Sequence, residues 1–144
     1  MLHFSSTHPA APNNFLPSPS SLLQHWIEVV AEAHDYHVGD ITYLFTDDEH
    51  ILSVNRQFLG HDYYTDIITF DYTEARRISG DIIISLDTVR SNAEQFGQPY
   101  QRELHRVIIH GILHLCGIND KGPGEREIME AEENRALELL ELIS

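Results

Sequence analysis

The sequence of 144 residues contains a single cysteine, Cys116, so no disulfide bond can form within the chain. It also lacks any stretch that approaches the roughly 20 consecutive apolar residues needed by a membrane-spanning helix. Its N-terminus has no basic segment followed by an apolar run, which is the pattern of a secretory signal. We therefore expect a cytoplasmic protein that does not bind a membrane.

Basic residues are scarce as well. Nine Lys and Arg against 23 Asp and Glu give a formal net charge of −14. Non-specific nucleic-acid binders usually show the opposite balance. An RNA substrate would therefore have to be bound through a local basic patch, a metal ion or a protein partner that delivers it. Much of the acidic excess lies in residues 125–141, on a predicted solvated helix, so the net charge says little about any cleft.

The chain is long enough to bury a core, and we expect one domain over residues 1–144. Hydrophobic periodicity predicts the order β-α-β-α-β-β-α-α-α, which is typical of an α+β fold with a mixed four-stranded sheet and about five helices. The metal site described below falls on a helix in the C-terminal half. The predicted strands are residues 1–6, 41–46, 67–72 and 81–85, with residues 73–80 as a hairpin connection; the predicted helices begin at Ser20 or Ser21, at Asp47 or Asp48, at Asp87, at Pro99 and after Gly124, and the first ends at Gly39.

The segment HGILHLCGIND, from His110 to Asp120, is the most informative motif. On a helix, His110 and His114 share one face, because residues four apart are offset by only about 40°. Two such imidazoles can bind one metal ion, and the apolar residues around them favour this over two unrelated histidines, because buried imidazoles need partners. Gly117 can end the helix and let the chain return Asp120 to the ion. Three protein ligands that leave a position for water are typical of a catalytic site.

The same spacing nearly matches the motif of metzincin proteases, in which a glutamate after the first histidine is the general base. Here that position is Gly111. A peptidase without this carboxylate loses a group worth about 10²–10⁴ in rate. We expect Gly111 to leave space beside the ion for a bulky substrate, with Glu103 or Asp66 as a base from elsewhere. The motif therefore argues against a peptidase.

Two further segments accompany this motif: NRQFLGHDYYTDIITF, from Asn55 to Phe70, and GDIIIS, from Gly80 to Ser85. In this order the three segments resemble the YbeY family of metal-dependent, single-strand-specific endoribonucleases, which act in ribosomal RNA maturation. The family patterns are N-x-x-[FY]-R-x-x-D-x-x-T-D-[VI]-[IL]-[ST]-F, a glycine-aspartate strand start and H-G-x-L-H-L-x-G-x-D-H. The resemblance covers nearly the whole chain.

The chain departs from the family pattern at two positions. The third ligand position is usually histidine in this family, and here it is Asp120. A carboxylate still binds zinc, at about 2.0–2.2 Å, but it lowers the net charge at the metal and should make a bound water a weaker acid. Leu59 stands where the family typically has an arginine that is thought to contact the RNA backbone. Another residue takes that role, or the activity is weaker or differently directed.

Several residues are candidates for contact with RNA or for proton transfer. Arg106 lies four residues before His110 on the same helical face, and Lys121 and Arg56 are further cations; for each, a solvated surface charge is the alternative. Asp66 is a second candidate catalytic residue beside Arg106. The remaining expectations concern Tyr63 and Tyr64, which either stack on unpaired bases or pack in a loop, and Cys116 and His105, which should lie off the ligand face.

The sequence and the resemblance together predict a zinc-dependent endoribonuclease that cleaves single-stranded RNA in the maturation of small-subunit (16S) ribosomal RNA. One zinc ion per chain is expected, held by His110, His114 and Asp120, although other divalent ions could fill such a site. The expected partners are single-stranded RNA, ribosomal RNA or the ribosomal subunit, and a protein that delivers the substrate. Two alternatives stay open: a metalloprotease-like hydrolase, and a non-catalytic ribosome-associated RNA-binding protein in which Leu59 marks lost activity.

Overall fold

The computed structural model of the protein describes residues 1–11, 13–61 and 65–144. In these ranges the helices and strands follow one another in the predicted order β-α-β-α-β-β-α-α-α. They are β1 (Leu2–Ser6), α1 (Ser20–Ala33), β2 (His37–Thr46), α2 (Asp48–Leu59), β3 (Ile67–Asp71), β4 (Arg77–Ser85), α3 (Leu86–Gln95), α4 (Tyr100–Leu115) and α5 (Glu125–Ile143).

The strands form one mixed sheet in the order β1-β2-β4-β3. β1, β2 and β4 are parallel, with Tyr43 of β2 between Phe4 and Ile82, and β3 runs antiparallel to β4. Parallel neighbours need a crossover connection. α1 connects β1 to β2, and α2 with β3 lies between β2 and β4. The predicted α+β class, with a four-stranded mixed sheet and five helices, is confirmed.

Helix α4 is packed against five other elements of the fold. It contacts α1, α3 and α5 as well as β3 and β4. Ile108, Ile109, Ile112 and Leu113 on this helix are fully buried. The hydroxyl of Tyr43, on β2, donates a hydrogen bond to the carbonyl of Ile108 at 2.7 Å. Because this helix is packed on most sides, the side chains that it directs outwards have a firmly held backbone.

The connection between β3 and β4 is shorter than predicted. β4 begins at Arg77 rather than at residue 81, because the chain turns tightly through Ala75 and Arg76, whose φ angles are 48° and 66°. Such left-handed turns usually carry glycine or asparagine. This turn lacks that signal, so the sequence pattern placed the strand start too late.

The end of the first helix and the start of β2 also differ from the prediction. α1 ends at Ala33, and Gly39 lies within β2 instead of ending the helix. A Cβ atom at Gly39 would lie 2.5 Å from Ser79 Oγ and 2.8 Å from the carbonyl oxygen of Ile78. This glycine is therefore required by the close approach of β4, next to the register shift between Val38 and Ile41.

The helix starts are partly as predicted. The side chain of Asp47 accepts a hydrogen bond from the backbone of His50 and caps α2, as predicted. α3 is capped by Ser85, two residues before the predicted start at Asp87, and α1 starts after Pro19 with no side-chain cap. Among the described residues, no helix is both long enough and apolar enough to cross a membrane.

Candidate metal centre and cleft

A cleft of about 800 Å³ opens beside α4. Its lining includes the three predicted metal ligands, His110, His114 and Asp120, and the two candidate catalytic residues, Arg106 and Asp66. α4 supplies both histidines and Arg106, β3 is preceded by Asp66, and the turn after α4 supplies Asp120. The structure therefore brings all the predicted site residues to one cleft.

The ring of His110 lies between two carboxylates. Its Nδ1 atom is 2.6 Å from Oε2 of Glu133, which lies on α5, and its Nε2 atom is 3.4 Å from Oδ2 of Asp120. An ionised carboxylate can only accept, so Nδ1–H is the donor to Glu133. In the neutral ring this leaves a lone pair on Nε2, on the side of Asp120.

A cation between Nε2 of His110 and Oδ2 of Asp120, either a proton or a metal ion, would relieve the repulsion of their lone pairs. Their separation of 3.4 Å is long for a hydrogen bond. Two ligands about 2.0–2.1 Å from a tetrahedral ion lie roughly 3.3–3.4 Å apart, so the distance fits an edge of a zinc tetrahedron. Burial acts to lower the pKa of His110, but Glu133, Asp120 and Asp66 outweigh it and raise that pKa above its ordinary value.

The turn after α4 orients His114 and returns the chain. Gly117 adopts a φ of 90°, the left-handed conformation that the sequence predicted for this position. The Nδ1 atom of His114 is 3.3 Å from the carbonyl oxygen of Ile118. Because a carbonyl only accepts, His114 also carries its proton on Nδ1 and keeps Nε2 for a ligand.

The residues present fit a divalent metal ion in their chemistry. His110, His114 and Asp120 supply two imidazole nitrogens and one carboxylate, and both rings are held by a hydrogen bond at Nδ1, as in most metal-binding histidines. Within the described ranges, no group of three or more His, Cys, Asp or Glu side chains has an arrangement that could hold a metal ion. The ligand assignment therefore stays a prediction.

Glu133 also belongs to a buried ion-pair network. Arg106 donates from Nη1 to Glu133 at 3.0 Å and from Nη2 to Glu103 at 3.1 Å. Both carboxylates are about 95% buried. Burial raises the pKa of Glu103 above its ordinary value although Arg106 acts to lower it. Arg106 is therefore not a solvated surface charge; it neutralises the two carboxylates behind His110.

Sequence reasoning missed Glu133. The available signal is its place in the apolar stripe of α5, four residues after Met129 and four before Leu137, both of which are buried. A carboxylate in such a stripe must find partners inside the protein. The pattern could have identified a buried acid, although not the histidine that it binds.

Gly111 faces the sheet and not the cleft. A Cβ atom on this residue would lie 3.0 Å from Cδ1 of Ile82 and 3.2 Å from Cδ1 of Ile67. The expectation that Gly111 leaves space for substrate beside the ion is therefore wrong. Successive helical residues are rotated by about 100°, so the residue after His110 points into the core. A side chain added here would first meet Ile82 and Ile67.

Asp66 is a cleft carboxyl with a perturbed pKa. Burial raises this pKa; His110 acts to lower it and Glu133 to raise it. The backbone carbonyl of Asp66 accepts a hydrogen bond from the amide of Ser85 at 2.9 Å, which fixes the start of β3 against the end of β4. Its predicted catalytic role stays a prediction.

Acidic residues outnumber basic ones even within the cleft. Arg126 is paired with Glu130 at 3.4 Å. Lys121 is exposed, and in the part of the chain that the structure describes it forms no ion pair or hydrogen bond. The lining acids are Asp66, Glu103, Asp120, Glu125, Glu130 and Glu133, and the lining Lys and Arg residues are Arg106, Lys121 and Arg126.

The remaining expectations have different outcomes. Cys116 is buried, its pKa is raised by burial to about 12, and it does not line the cleft. His105 lies off the ligand face as predicted, where its Nε2 is 2.8 Å from the hydroxyl of Ser18. Leu59 lines the cleft. Tyr63 and Tyr64, predicted to stack on bases or pack in a loop, lie outside the described residues.

An open cleft that receives two histidines from a buried helix is the kind of site that metal-dependent hydrolases use. A family model described as endoribonuclease YbeY matches residues 14–141. The chain therefore belongs to the endoribonuclease YbeY family, and the family predicted from the sequence motifs is confirmed.

Individual relatives agree with this membership. The endoribonuclease YbeY of Phocaeicola vulgatus is 74% identical over 117 residues, which make up 81% of this chain and 85% of that protein. The endoribonuclease YbeY of Christiangramia forsetii is 42% identical over 127 residues, covering 88% and 89%. A solution structure of a Thermotoga maritima protein superposes with a TM-score of 0.62 at 27% identity, covering 97% of this chain and 89% of that one.

Proposed function

We propose that this protein is a zinc-dependent endoribonuclease that cleaves single-stranded RNA during maturation of small-subunit ribosomal RNA in the cytoplasm. His110, His114 and Asp120 hold one zinc ion per chain. The observation that carries this proposal is the ring of His110, bonded by Glu133 on one side and facing Asp120 on the other. Membership of the endoribonuclease YbeY family supports the activity class.

A zinc ion at this position would supply a Lewis acid and lower the pKa of a bound water for attack on a phosphodiester. Other residues of the chain orient the two predicted histidine ligands. Glu133 fixes the tautomer and orientation of His110, and the Ile118 carbonyl does the same for His114. Asp66, a half-buried carboxyl in the same cleft, is our candidate for exchanging a proton with the substrate.

Phosphate binding in this cleft calls for a cation other than the family's usual arginine. Leu59 occupies that position here and carries no charge. Arg106 already uses donors on two carboxylates, whereas Lys121 follows a predicted ligand directly and is exposed in the cleft. We assign the phosphate contact to Lys121 first and to Arg106 second. The net charge of −14 gives little long-range attraction to RNA, so a protein partner that delivers the substrate belongs to the proposal.

The deciding experiment combines metal content with RNA cleavage. Purified protein and the variant His114→Ala are loaded with zinc, dialysed and analysed for metal, and each is then incubated with single-stranded RNA. The wild-type protein should retain one zinc per chain and cleave the RNA, because three ligands remain. The variant should lose both properties, because two ligands cannot hold the ion tightly.

The matched control is His105→Ala, which removes a histidine from the same helix outside the cleft. It should keep both zinc and activity. Full zinc occupancy in His114→Ala would contradict the ligand assignment. RNA cleavage by the metal-free wild-type protein would contradict metal dependence, and absence of cleavage by the zinc-loaded protein would favour the non-catalytic RNA-binding alternative. Zinc-dependent cleavage of an unstructured peptide would revive the metalloprotease alternative.

A further inference from the structure

The mouth of the cleft has an apolar wall that the proposed metal chemistry does not use. Seven large hydrophobic side chains in the described part of the chain are exposed, and two of them, Leu59 and Phe96, line the cleft. Leu59 is the last residue of α2, and Phe96 follows the last residue of α3; these two helices contact each other. Both residues therefore offer apolar side chains to the same cleft that His110 and His114 line.

The backbone of Phe96 is fixed while its ring is open to solvent. The Phe96 amide donates to the carbonyl of Asn92 at 3.0 Å, and Gly97, with a φ of 63°, donates its amide to the carbonyl of Glu94 at 3.3 Å. The amide of Gln98 donates back to Ala93 at 2.9 Å, which closes the helix end. The ring is nevertheless 54% exposed. An exposed aromatic ring on a fixed backbone loses little conformational entropy when it binds a ligand, because only two side-chain torsions are restricted.

The residues that line the cleft indicate which part of an RNA substrate the Phe96 ring could bind. The predicted metal ligands and Lys121 can bind the charged phosphodiester. Phe96 and Leu59, in contrast, have no charge and no hydrogen-bonding group in their side chains. An unpaired nucleobase has an apolar π-face that stacks on aromatic rings. Asn92, one helical turn before Phe96, also lines the cleft and places an amide where a base edge can be bonded.

We propose that Phe96, in the cleft that Leu59 also lines, forms a subsite that stacks one unpaired nucleobase of the RNA substrate. This subsite rests on the proposed endoribonuclease function and adds a reason for single-strand preference. A base in a duplex is already stacked and paired, so it cannot enter the subsite without being unpaired first. The specificity then comes from the α2–α3 side of the cleft, and the chemistry from α4.

The test measures the coupling between Phe96 and a single base. Zinc-loaded wild-type protein and Phe96→Ala are titrated against a short fluorescent single-stranded RNA and against copies in which one nucleotide at a time is abasic. Gels confirm that the RNA is intact after each titration. For the wild-type protein, one abasic position should weaken binding by about 5- to 150-fold, which is the range measured for single base–aromatic stacks.

Phe96→Ala should weaken binding of the intact RNA by a similar factor and should no longer distinguish that abasic position. Phe96→Trp should restore both the affinity and the discrimination. The slope of log affinity against log salt should stay unchanged in Phe96→Ala, because no phosphate contact is lost. The matched control is Tyr72→Ala, which removes an aromatic ring of similar exposure (59%) that does not line the cleft, and it should bind like the wild type.

The outcomes separate this proposal from the proposed function. If the wild-type protein cleaves RNA but Phe96→Ala binds normally, or if the effects of Phe96→Ala and the abasic position simply add, the subsite is refuted and the endoribonuclease stands. If RNA is bound with the predicted coupling but not cleaved, the subsite stands and the catalytic assignment is refuted. RNA that is neither bound nor cleaved would overturn both.

Discussion

The two faces of helix α4 are held in place by different means. On the face towards the cleft the side chains are polar: Arg106 binds Glu103 directly, and Glu133 of α5 joins Arg106 to His110. On the face towards the sheet, the helix fits by shape, and at Gly111 a single added Cβ atom would lie 3.0 Å from Ile82. One face depends on partners from elsewhere in the chain, and the other depends on the absence of a side chain.

Because of this difference, we expect the sheet face to determine the stability of the fold and the cleft face to determine metal and RNA binding. The sheet face has little room and no partner for a charge, so substitutions there should change the free energy of unfolding. The cleft face is open on one side, so substitutions there should change metal and RNA binding while the core remains packed. Substitutions on the two faces should therefore have separable effects.

The largest expected effect is on the sheet face. Gly111→Glu would restore the glutamate of the protease motif but would place an unpaired carboxylate against Ile82 and Ile67. We expect the free energy of unfolding to fall by about 3–5 kcal/mol, the usual cost of an uncompensated buried charge, and no peptidase activity to appear. Urea unfolding followed by circular dichroism measures the change.

The control is Gln101→Glu, which adds the same carboxylate at an exposed position of the same helix. Its free energy of unfolding should stay within about 0.5 kcal/mol of the wild type. If Gly111→Glu were as stable as this control, residue 111 would have to face solvent, and the contrast between the two faces would be refuted.

The next effect is on the cleft face. Glu133→Gln removes the charge that holds His110 Nδ1–H and half of the partner set of Arg106. The zinc affinity should fall by about 10- to 100-fold, as is typical when the carboxylate behind a ligating histidine is lost. Competition with a chromophoric chelator measures the affinity independently of activity.

Glu130→Gln is the matched control, since Glu130 lies on the same helix and lines the cleft but is paired with exposed Arg126. Its zinc affinity should remain that of the wild type. Equal affinities for both variants and the wild type would show that Glu133 serves only the ion-pair network. Glu133→Asp should recover part of the affinity if the bond to His110 is what matters.

The order of elements could be predicted because each depends on local pattern. Apolar residues at helical spacing, strand alternation and punctuation by proline and glycine are all properties of neighbouring residues. The turn at Gly117 was predictable for the same reason, because a glycine just after a helix usually adopts the left-handed conformation that ends the helix. The same logic failed at Ala75 and Arg76, whose left-handed turn carries none of the residues that usually signal it.

The candidate site was predictable only where its residues are close in sequence. His110, His114 and Asp120 fall within eleven residues, so helical geometry and one turn suffice to bring them together. Glu133 is 23 residues from His110 and reaches it only because α5 packs on α4. The orientation of Gly111 likewise depends on where the sheet lies relative to α4. The position of the sheet cannot be predicted from the residues near Gly111 in the sequence.

A smaller effect is expected for the hydrogen bond between Tyr43 of the sheet and the backbone of α4. Tyr43→Phe removes the hydroxyl that donates to the Ile108 carbonyl at 2.7 Å, although that carbonyl keeps its position in the helix. The free energy of unfolding should fall by about 0.5–1.5 kcal/mol, with zinc affinity unchanged. Tyr100→Phe, whose ring remains under the guanidinium of Arg90, is the control and should be neutral. A loss of zinc affinity in Tyr43→Phe would show that the two faces are coupled.

The smallest effect concerns the cationic side chain that contacts an RNA phosphate in the cleft. Arg106 is committed to Glu103 and Glu133, so the cation assigned to RNA is Lys121, beyond the end of the helix. Lys121→Gln should make the slope of log affinity against log salt shallower by about 0.7, which is one phosphate contact on single-stranded RNA. Between 50 and 200 mM salt this amounts to roughly a threefold difference in the salt sensitivity of binding.

Arg135→Gln is the matched control, because it changes the net charge by the same amount at a residue that pairs with Glu132 and does not line the cleft. Its salt slope should equal that of the wild type. Arg106→Gln separates the two assignments: if its slope falls by about 0.7 while that of Lys121→Gln does not, the phosphate lies on the face of α4 itself. The arginine would then serve both the carboxylates behind His110 and the substrate in front of them.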